Sequence, residues 1–433
     1  MMKRSDAGKY RPALLTLHGS IQHYAWGGYE FIPRLLGIRN KEEKPYAELW
    51  IGAHRNSPAT VDFSGRRASL ADVIAQAPDE ILGPAVSTRF GGQLPYLLKV
   101  LDAGKMLSIQ VHPNRRQAKL GFARENAAGI GLHAAHRNYR DENHKPEVQV
   151  ALTEFWMLHG FRPLEQIGRT FTARPELIPV MPDLDRRLNA AGSDARARRD
   201  LLHELYVCVM RMPQARADAI LSPLIERLTR EHPTDKDSHD FWVLRAAESF
   251  RLRGEHCDRG IFSIYLLNLL HLQPGQGTFQ PAGVLHAYLE GTAMELMANS
   301  DNVLRGGLTP KHVDVEELMQ TVSFDSGIPA LLPGESTSSS ETVYRTQAEE
   351  FELSHIDVTP GNPYVRKGGH GPDAMIVLEG STEVKSQAGS LLLHRGGMAL
   401  APDCLEYTLE SRGGQATVFR ASVPKRVLNR APR

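Results

Sequence analysis

The run Ser108-Ile109-Gln110-Val111-His112-Pro113-Asn114 alternates apolar and polar side chains. Successive residues of a strand face opposite ways, so Leu107, Ile109 and Val111 can enter a core while Ser108, Gln110 and His112 share the other side. Gln and His side by side can hold a metal, although a solvated strand face reads the same way. Two further clusters carry similar chemistry. In Asn143-His144-Lys145-Pro146-Glu147, Glu147 opens an alternating run and points opposite to Val148 and Val150. In His286-Ala287-Tyr288, after a Pro-Ala-Gly turn, two polar side chains again fall on one face. Each cluster has a plain structural reading: Glu147 as a solvated strand end, His144 as a loop residue, His286 as a core histidine satisfied by backbone. Together, two His and one carboxylate form a common donor set for a catalytic zinc that keeps one position open. A neutral Gln as fourth donor would leave the metal more Lewis acidic than a second carboxylate would. Manganese, cobalt or iron suit the same donors.

The stretch from Glu295 to Lys311 places acids and strong cations around a Gly-containing loop. Arg305 offers a planar fork for phosphate or carboxylate, and Lys311 a mobile point charge. A small anionic substrate would use such a loop; a self-neutralising surface loop is the other reading. Lys99 and Lys145 add cations near the strand clusters.

The elements that must position these residues read as follows. From Leu14 to about Arg162, short alternating runs broken by Gly, Pro and Asn predict β structure, as in Leu97–Leu101, Met106–His112 and Glu147–Leu152. Helices are expected at Ser69–Gln76 and Arg115–Asn126. Between Leu164 and about Arg253 the pattern becomes helical, as in Asp194–Met212 and Ala215–Glu231, a module of roughly 90 residues. Gly260–Leu272 is ambiguous, with a last helix favoured. β character returns at Thr278-Phe279-Gln280 and at Val284–Tyr288, so the helices interrupt a β domain. The polar run Pro333–Glu341 predicts a linker. Beyond it, Phe351–Val358, Ala374–Glu379, Ser390–His394, Met398–Ala401 and Gln415–Ala421 predict strands of a closing sandwich or jelly roll.

At 433 residues the chain has material for roughly two to four domains. A formal charge of +1 gives no sequence-wide pull toward nucleic acid or anionic membrane. Cys208, Cys257 and Cys404 are odd in number, far apart and without a CxxC, which argues against a disulfide framework and predicts core fillers in a reducing cytosol. Met1–Pro12 is followed by no apolar h-region, and Ile261–Leu272 is too short and polar to span a bilayer. A cytoplasmic protein, and a monomer, is expected.

In order along the chain, these clusters resemble the type I mannose-6-phosphate isomerases. The resemblance rests on Gln22-His23-Tyr24-Ala25-Trp26-Gly27, Ala47–Gly52, Leu94–Lys99, Leu107–Asn114, Asn143–Glu147, Gly160–Pro163 and His286–Lys311, spanning residues 22 to 311. His23 stands where the family usually has Asn, and Gly28 where Lys is common. The resemblance implies one zinc held by Gln110, His112, Glu147 and His286, with Arg305 as an active-site cation. It also places Trp26, Lys99, Ser108, His144, Lys145, Tyr288, Glu295, Asp301 and Lys311 around the pocket. The implied fold is a metal-binding cupin, residues 1–163 and 260–330, with an inserted helical domain at 164–259 and a second β domain at 331–433. The last contains no second His-x-His with a following Glu, and a structural role is expected for it.

The expected reaction interconverts mannose 6-phosphate and fructose 6-phosphate through an enediol, with the metal as Lewis acid. Glu295, Asp301, Lys145, His144 and a metal-bound water all stand as candidates for the proton-moving group. Substrate binding is expected of Trp26, Lys99, Ser108, Tyr288 and Lys311. A non-catalytic sugar-phosphate-binding cupin and a metal-dependent oxygenase are the competing readings.

Overall fold

The strand His286–Ala298 is the spine of the site-bearing sheet in the computed structural model, which describes residues 13–63, 65–250, 252, 254 and 256–428. Its second half pairs antiparallel with Tyr96–Ala103 and Glu147–Ala151, its first half with Phe155–Phe161 and, at His286, with Ile109–Val111. The exchange of partners falls where the register shifts between Tyr288 and Glu290 and where Gly291 takes a φ of 120°. A Cβ at Gly291 would stand 2.4 Å from the carbonyl oxygen of Glu154, so the close approach there requires glycine. Glu48–Gly52 and Ser20–Gln22 extend the sheet beyond Tyr96–Ala103, and Leu267–Leu272 extends it beyond Phe155–Phe161. Gly277–Gln280 pairs with Glu147–Ala151, and Leu304–Gly307 with Ile109–Val111. The result is the cupin-type, β-rich fold with helices that the sequence predicts.

A second sheet contains, among the described residues, nine strands in the order Glu335–Ser336, Glu341–Tyr344, Glu352–Val358, Ala416–Ser422, Asp373–Glu379, Met398–Ala401, Leu15–His18, Thr60–Phe63, Arg66–Ser69. This pairing crosses the sequence-based division at residue 331. Leu15 lies opposite Leu400, and Leu17 opposite both Met398 and Val61. The physical reason is burial: Leu15 and Leu17 join one apolar cluster with Ile376 and Leu400 from this sheet and Leu49, Val100 and Leu296 from the other. A small third sheet, Tyr364–Arg366, Tyr407–Ser411, Ser381–Ser386 and Gly389–His394, packs Val384 and Leu409 against Ile356, Met375, Ala399 and Val418 of the second sheet.

The helices from Leu164–Thr172 to His239–Ser249 pack on the outer side of the first sheet. Leu201, Leu205, Leu221 and Trp242 share one cluster with Ile109, Val111, Leu158 and Leu304. Local chemistry starts them well. Asp194 accepts hydrogen bonds from the Arg196 and Ala197 amides ahead of Ala195–Met210. Asn114 and Gln117 form a reciprocal capping box that opens Arg115–Ala127 immediately after His112.

Four expectations need correction. Gly260–Leu272 is a helix only to Leu266; Leu267–Leu272 is a strand paired with Phe155–Phe161. Every residue of Gly260–Leu266 is buried, so apolar periodicity carries no signal there, and tertiary pairing decides the second half. The polar run Pro333–Glu341 is a hairpin edge, with the Ser338 hydroxyl accepting the Ser340 and Glu341 amides. The expected strand Met106–His112 contracts to Ile109–Val111, leaving Ser108 and His112 at its two ends. Cys208 and Cys404 are exposed rather than core fillers, and none of the three cysteines is in a disulfide. Among the described residues, no helix is long and apolar enough to cross a membrane.

Candidate metal centre and active site

His112, Glu147 and His286 converge although 174 positions separate the first from the last, and their nearest donor atoms all lie within 4.8 Å of one another. Strand register explains the convergence. His286 lies directly opposite Gln110, which in turn lies opposite Arg305 on its other side. Residues opposite one another share a face, so the Gln110 side chain joins His286 on the side that carries the site.

The donor chemistry fits a cation. His112 Nδ1 is 2.8 Å from the carbonyl oxygen of Asn302, and His286 Nδ1 is 3.0 Å from that of Val284. A carbonyl only accepts, so each Nδ1 carries the proton and each Nε2 presents a lone pair. Both Nε2 atoms are buried without a hydrogen-bond partner, and each stands 3.3 Å from a different oxygen of the Glu147 carboxylate. Burial pushes the His112 imidazole down to about 4 despite the nearby Glu147 charge. Burial alone would raise the Glu147 carboxyl, but the Lys145 ammonium holds it well below the usual carboxylate range. Two neutral imidazole lone pairs facing a buried anion repel it unless a metal ion sits between them. Two His and one Glu are donors that zinc accepts, and Gln110 stands on the same face beside them.

A polar network runs from the centre along the sheet's inner face. Tyr288 donates to Glu295 at 2.8 Å and contacts Glu147 at 3.3 Å. Burial, then the Glu147 and Glu295 charges, keep the phenol protonated by raising its pKa well above the usual value. Glu295 pairs with Lys99 at 2.9 Å, its direct cross-strand neighbour. Glu48 lies 3.5 Å from Lys99 on its other side and accepts from the Trp50 indole at 2.6 Å. Lys145 sits 3.1 Å from Glu147.

The other sequence candidates are held by partners other than the metal donors. His144 turns away from the centre to Glu350 at 2.8 Å and Arg115 at 3.0 Å. Asp301 is held by Asn56 at 2.8 Å, Arg55 at 3.1 Å and His54 at 3.3 Å. Burial would raise its carboxyl, but His54 and Arg55 bring it far below the usual range. Trp26 is half-buried against the cluster containing Leu101 and Tyr288, and its carbonyl accepts the Gly104 and Lys105 amides. Ser108 is half-buried beside Leu107, whose amide donates to the Tyr288 carbonyl. Gly28 has Asp102 Oδ2 2.2 Å from where a Cβ would stand, which explains why this chain keeps no long side chain there.

Arg305 and Lys311 lie near each other and near Arg140, and burial together with these like charges lowers the pKa of both. Among the described residues none of the three side chains makes an ion pair or hydrogen bond. Sequence reasoning missed Arg140, Glu48 and Asn302. Asn302 is fully buried; its Oδ1 accepts the Arg140 amide at 2.6 Å and its Nδ2 donates to the Asn143 carbonyl at 2.8 Å. It thereby ties the loop before Lys145 to the backbone that orients His112. The signal was available in two places, since Glu48 and Asn302 both stand in stretches already singled out.

Residues 14–164 match the model of the phosphomannose isomerase type I catalytic domain. The chain is 38% identical to the mannose-6-phosphate isomerase of Salmonella typhimurium over 88% of its own length and 93% of the relative's. It is 36% identical to the Escherichia coli enzyme of that name, over 93% of this chain and 98% of that one. It is also similar in structure to the Salmonella typhimurium enzyme solved with fructose 6-phosphate and zinc, with a TM-score of 0.82 at 34% identity over 95% of this chain and 99% of that chain. A zinc-bound holo mannose 6-phosphate isomerase structure gives the same TM-score and coverage.

Proposed function

The chain belongs to the type I phosphomannose isomerases, and on that premise we infer how its own residues interconvert mannose 6-phosphate and fructose 6-phosphate. It is a zinc-dependent aldose-ketose isomerase. Bound to Gln110, His112, Glu147 and His286, zinc supplies Lewis acidity at the substrate's carbonyl and hydroxyl oxygens. The observation that carries this reading is the pair of buried, unpartnered Nε2 atoms facing the Glu147 carboxylate.

Arg305, Lys311 and Arg140 bind the phosphate. Three cations left without carboxylate partners form a local anion site in a chain of near-neutral net charge. The isomerisation moves one proton between adjacent carbons of the substrate through an enediol. Of the candidate groups, Lys145 and the Tyr288–Glu295–Lys99 network adjoin Glu147, whereas His144 pairs with Glu350 and Asp301 with Asn56. Glu295 takes up the proton, with the Lys99 ammonium beside it and the Tyr288 hydroxyl orienting the carboxylate. Trp26 and Ser108 line the substrate side.

The division into residues 1–163 with 260–330, 164–259 and 331–433 belongs to the same reading as a division of roles, the first carrying the metal site. So does a cytoplasmic monomer. Free, exposed Cys208 and Cys404 favour a reducing compartment. Exposed large apolar residues such as Leu120 and Leu392 stand on separate elements. Sedimentation of the purified chain tests the monomer.

The test of function is a coupled assay for fructose 6-phosphate with metal analysis on the same sample. Chelation, and Glu147→Gln, remove metal and activity together, and zinc restores the chelated enzyme. A metal-free sample of full activity would overturn the reading.

A further inference from the structure

We propose that Asp258, at the end of the helical insertion, is a positioning residue that holds the loop carrying Lys311 in its anion-binding shape. This rests on the assignment of Lys311 to the substrate phosphate and extends it to a residue outside the pocket. Asp258 is buried, and its carboxylate accepts three backbone amides: Gly260 at 2.7 Å and Leu308 at 3.0 Å on Oδ1, and Thr309 at 2.9 Å on Oδ2. The Thr309 hydroxyl in turn accepts the Lys311 amide at 3.2 Å. A chain of hydrogen bonds therefore leads from one carboxylate to the backbone of the phosphate-binding lysine.

The loop needs such a clamp because its shape is costly. Leu308 takes a φ of 53°, in the left-handed region that a branched side chain avoids. Gly307 takes a φ of 117° and crosses Gly260 so closely that a Cβ on Gly307 would lie 2.5 Å from the Gly260 Cα. Packing does not hold the loop from every side, because a cavity of about 220 Å³ lies beside Gly307, Thr309 and Lys311, with Asp258 in its wall. Leu308 itself is packed in the core, so without the carboxylate it is the Thr309–Lys311 segment, on the cavity side, that has room to shift and carry Lys311 away. Arg305 lies before this turn, fixed by its register with Gln110, so displacement falls on Lys311 rather than on the groups around the metal.

Charge acting uniformly on ground and transition states changes KM without kcat. Asp258→Asn is therefore expected to raise the KM for mannose 6-phosphate and the inhibition constant of inorganic phosphate together, by about tenfold, with kcat changed by less than about twofold. Gly260→Ala, whose Cβ would stand 2.5 Å from the Leu308 amide, pushes the same loop while keeping the carboxylate and is expected to give the same split; it carries the test if Asp258→Asn does not fold. Lys311→Ala is the control. If Lys311→Ala raises both constants while the loop variants leave them unchanged, or lower kcat alone, the role of Asp258 is overturned. If Lys311→Ala itself leaves both constants unchanged, the phosphate assignment fails instead.

Discussion

The Lys99 ammonium and the Glu295 carboxylate lie 2.9 Å apart on adjacent strands, both out of water, and a second carboxylate, Glu48, stands 3.5 Å from the same ammonium. Burial alone would favour neutral lysine, but Glu295 and Glu48 raise its pKa, so the cation persists. Removing one partner of a buried pair leaves an uncompensated charge and costs about 3–5 kcal/mol. Lys99→Met strands two carboxylates, whereas Glu295→Gln leaves Lys99 with Glu48. Urea unfolding is expected to rank Lys99→Met as the more destabilised, and both variants lose activity. The reverse order would show that Glu48 does not share the lysine.

Arg140 was not among the sequence candidates, yet it adds a third unpartnered cation beside Arg305 and Lys311. Arg140→Ala should raise the KM for mannose 6-phosphate about tenfold with kcat nearly unchanged. Steady-state kinetics at fixed ionic strength measures this, and an unchanged KM removes Arg140 from the phosphate site.

Glu350 joins the second sheet's approach segment to the loop that carries Lys145, through its bonds to His144 and Arg115. Burial would raise its carboxyl, but the His144 hydrogen bond and the His144 and Arg115 charges lower it. A double-mutant cycle of Glu350→Gln and His144→Ala is expected to give a coupling of about 1 kcal/mol in unfolding free energy. Additive effects would mean that the contact contributes nothing.

Acid lowers stability through a half-buried histidine away from the metal, His239. Burial, then the Arg162 charge, pushes His239 down to about 4, while unfolded histidine titrates near ~6.5. Below pH ~6.5 the unfolded chain binds a proton that the native chain refuses, so its contribution is full above that pH and lost progressively as pH falls toward about 4. The maximum loss is roughly 3 kcal/mol. His239→Gln is expected to flatten the acid side of the stability–pH curve between those values, and an unchanged slope would refute the assignment.

Much of this was legible. Alternation around Gln110 and His112, and the polar positions Glu147 and His286, marked strand faces, and strand faces carried the metal donors. Arg115–Asn126 and Asp194–Met212 read as helices from their pattern, and the structure adds the caps at Asn114 and Asp194. What escaped were residues whose work is done on backbone. Asn302 and Asp258 look like surface polar residues until the amides they satisfy are seen. Gly260–Leu272 hid its change from helix to strand because burial on all sides erases periodicity. No local pattern tells Leu15 that its partner is Leu400.

That last pairing bears on the order of folding. Leu15–His18 is flanked on one side by Thr60–Phe63, available early, and on the other by Met398–Ala401. A chain emerging from the ribosome holds this strand with one edge unpaired until Met398–Ala401 has been made. Closing so long a loop makes this step slow, and the exposed edge invites pairing with another chain meanwhile. Thr16 and His18, the less buried positions of that strand, are then the natural places for a charge that keeps the waiting edge from aggregating.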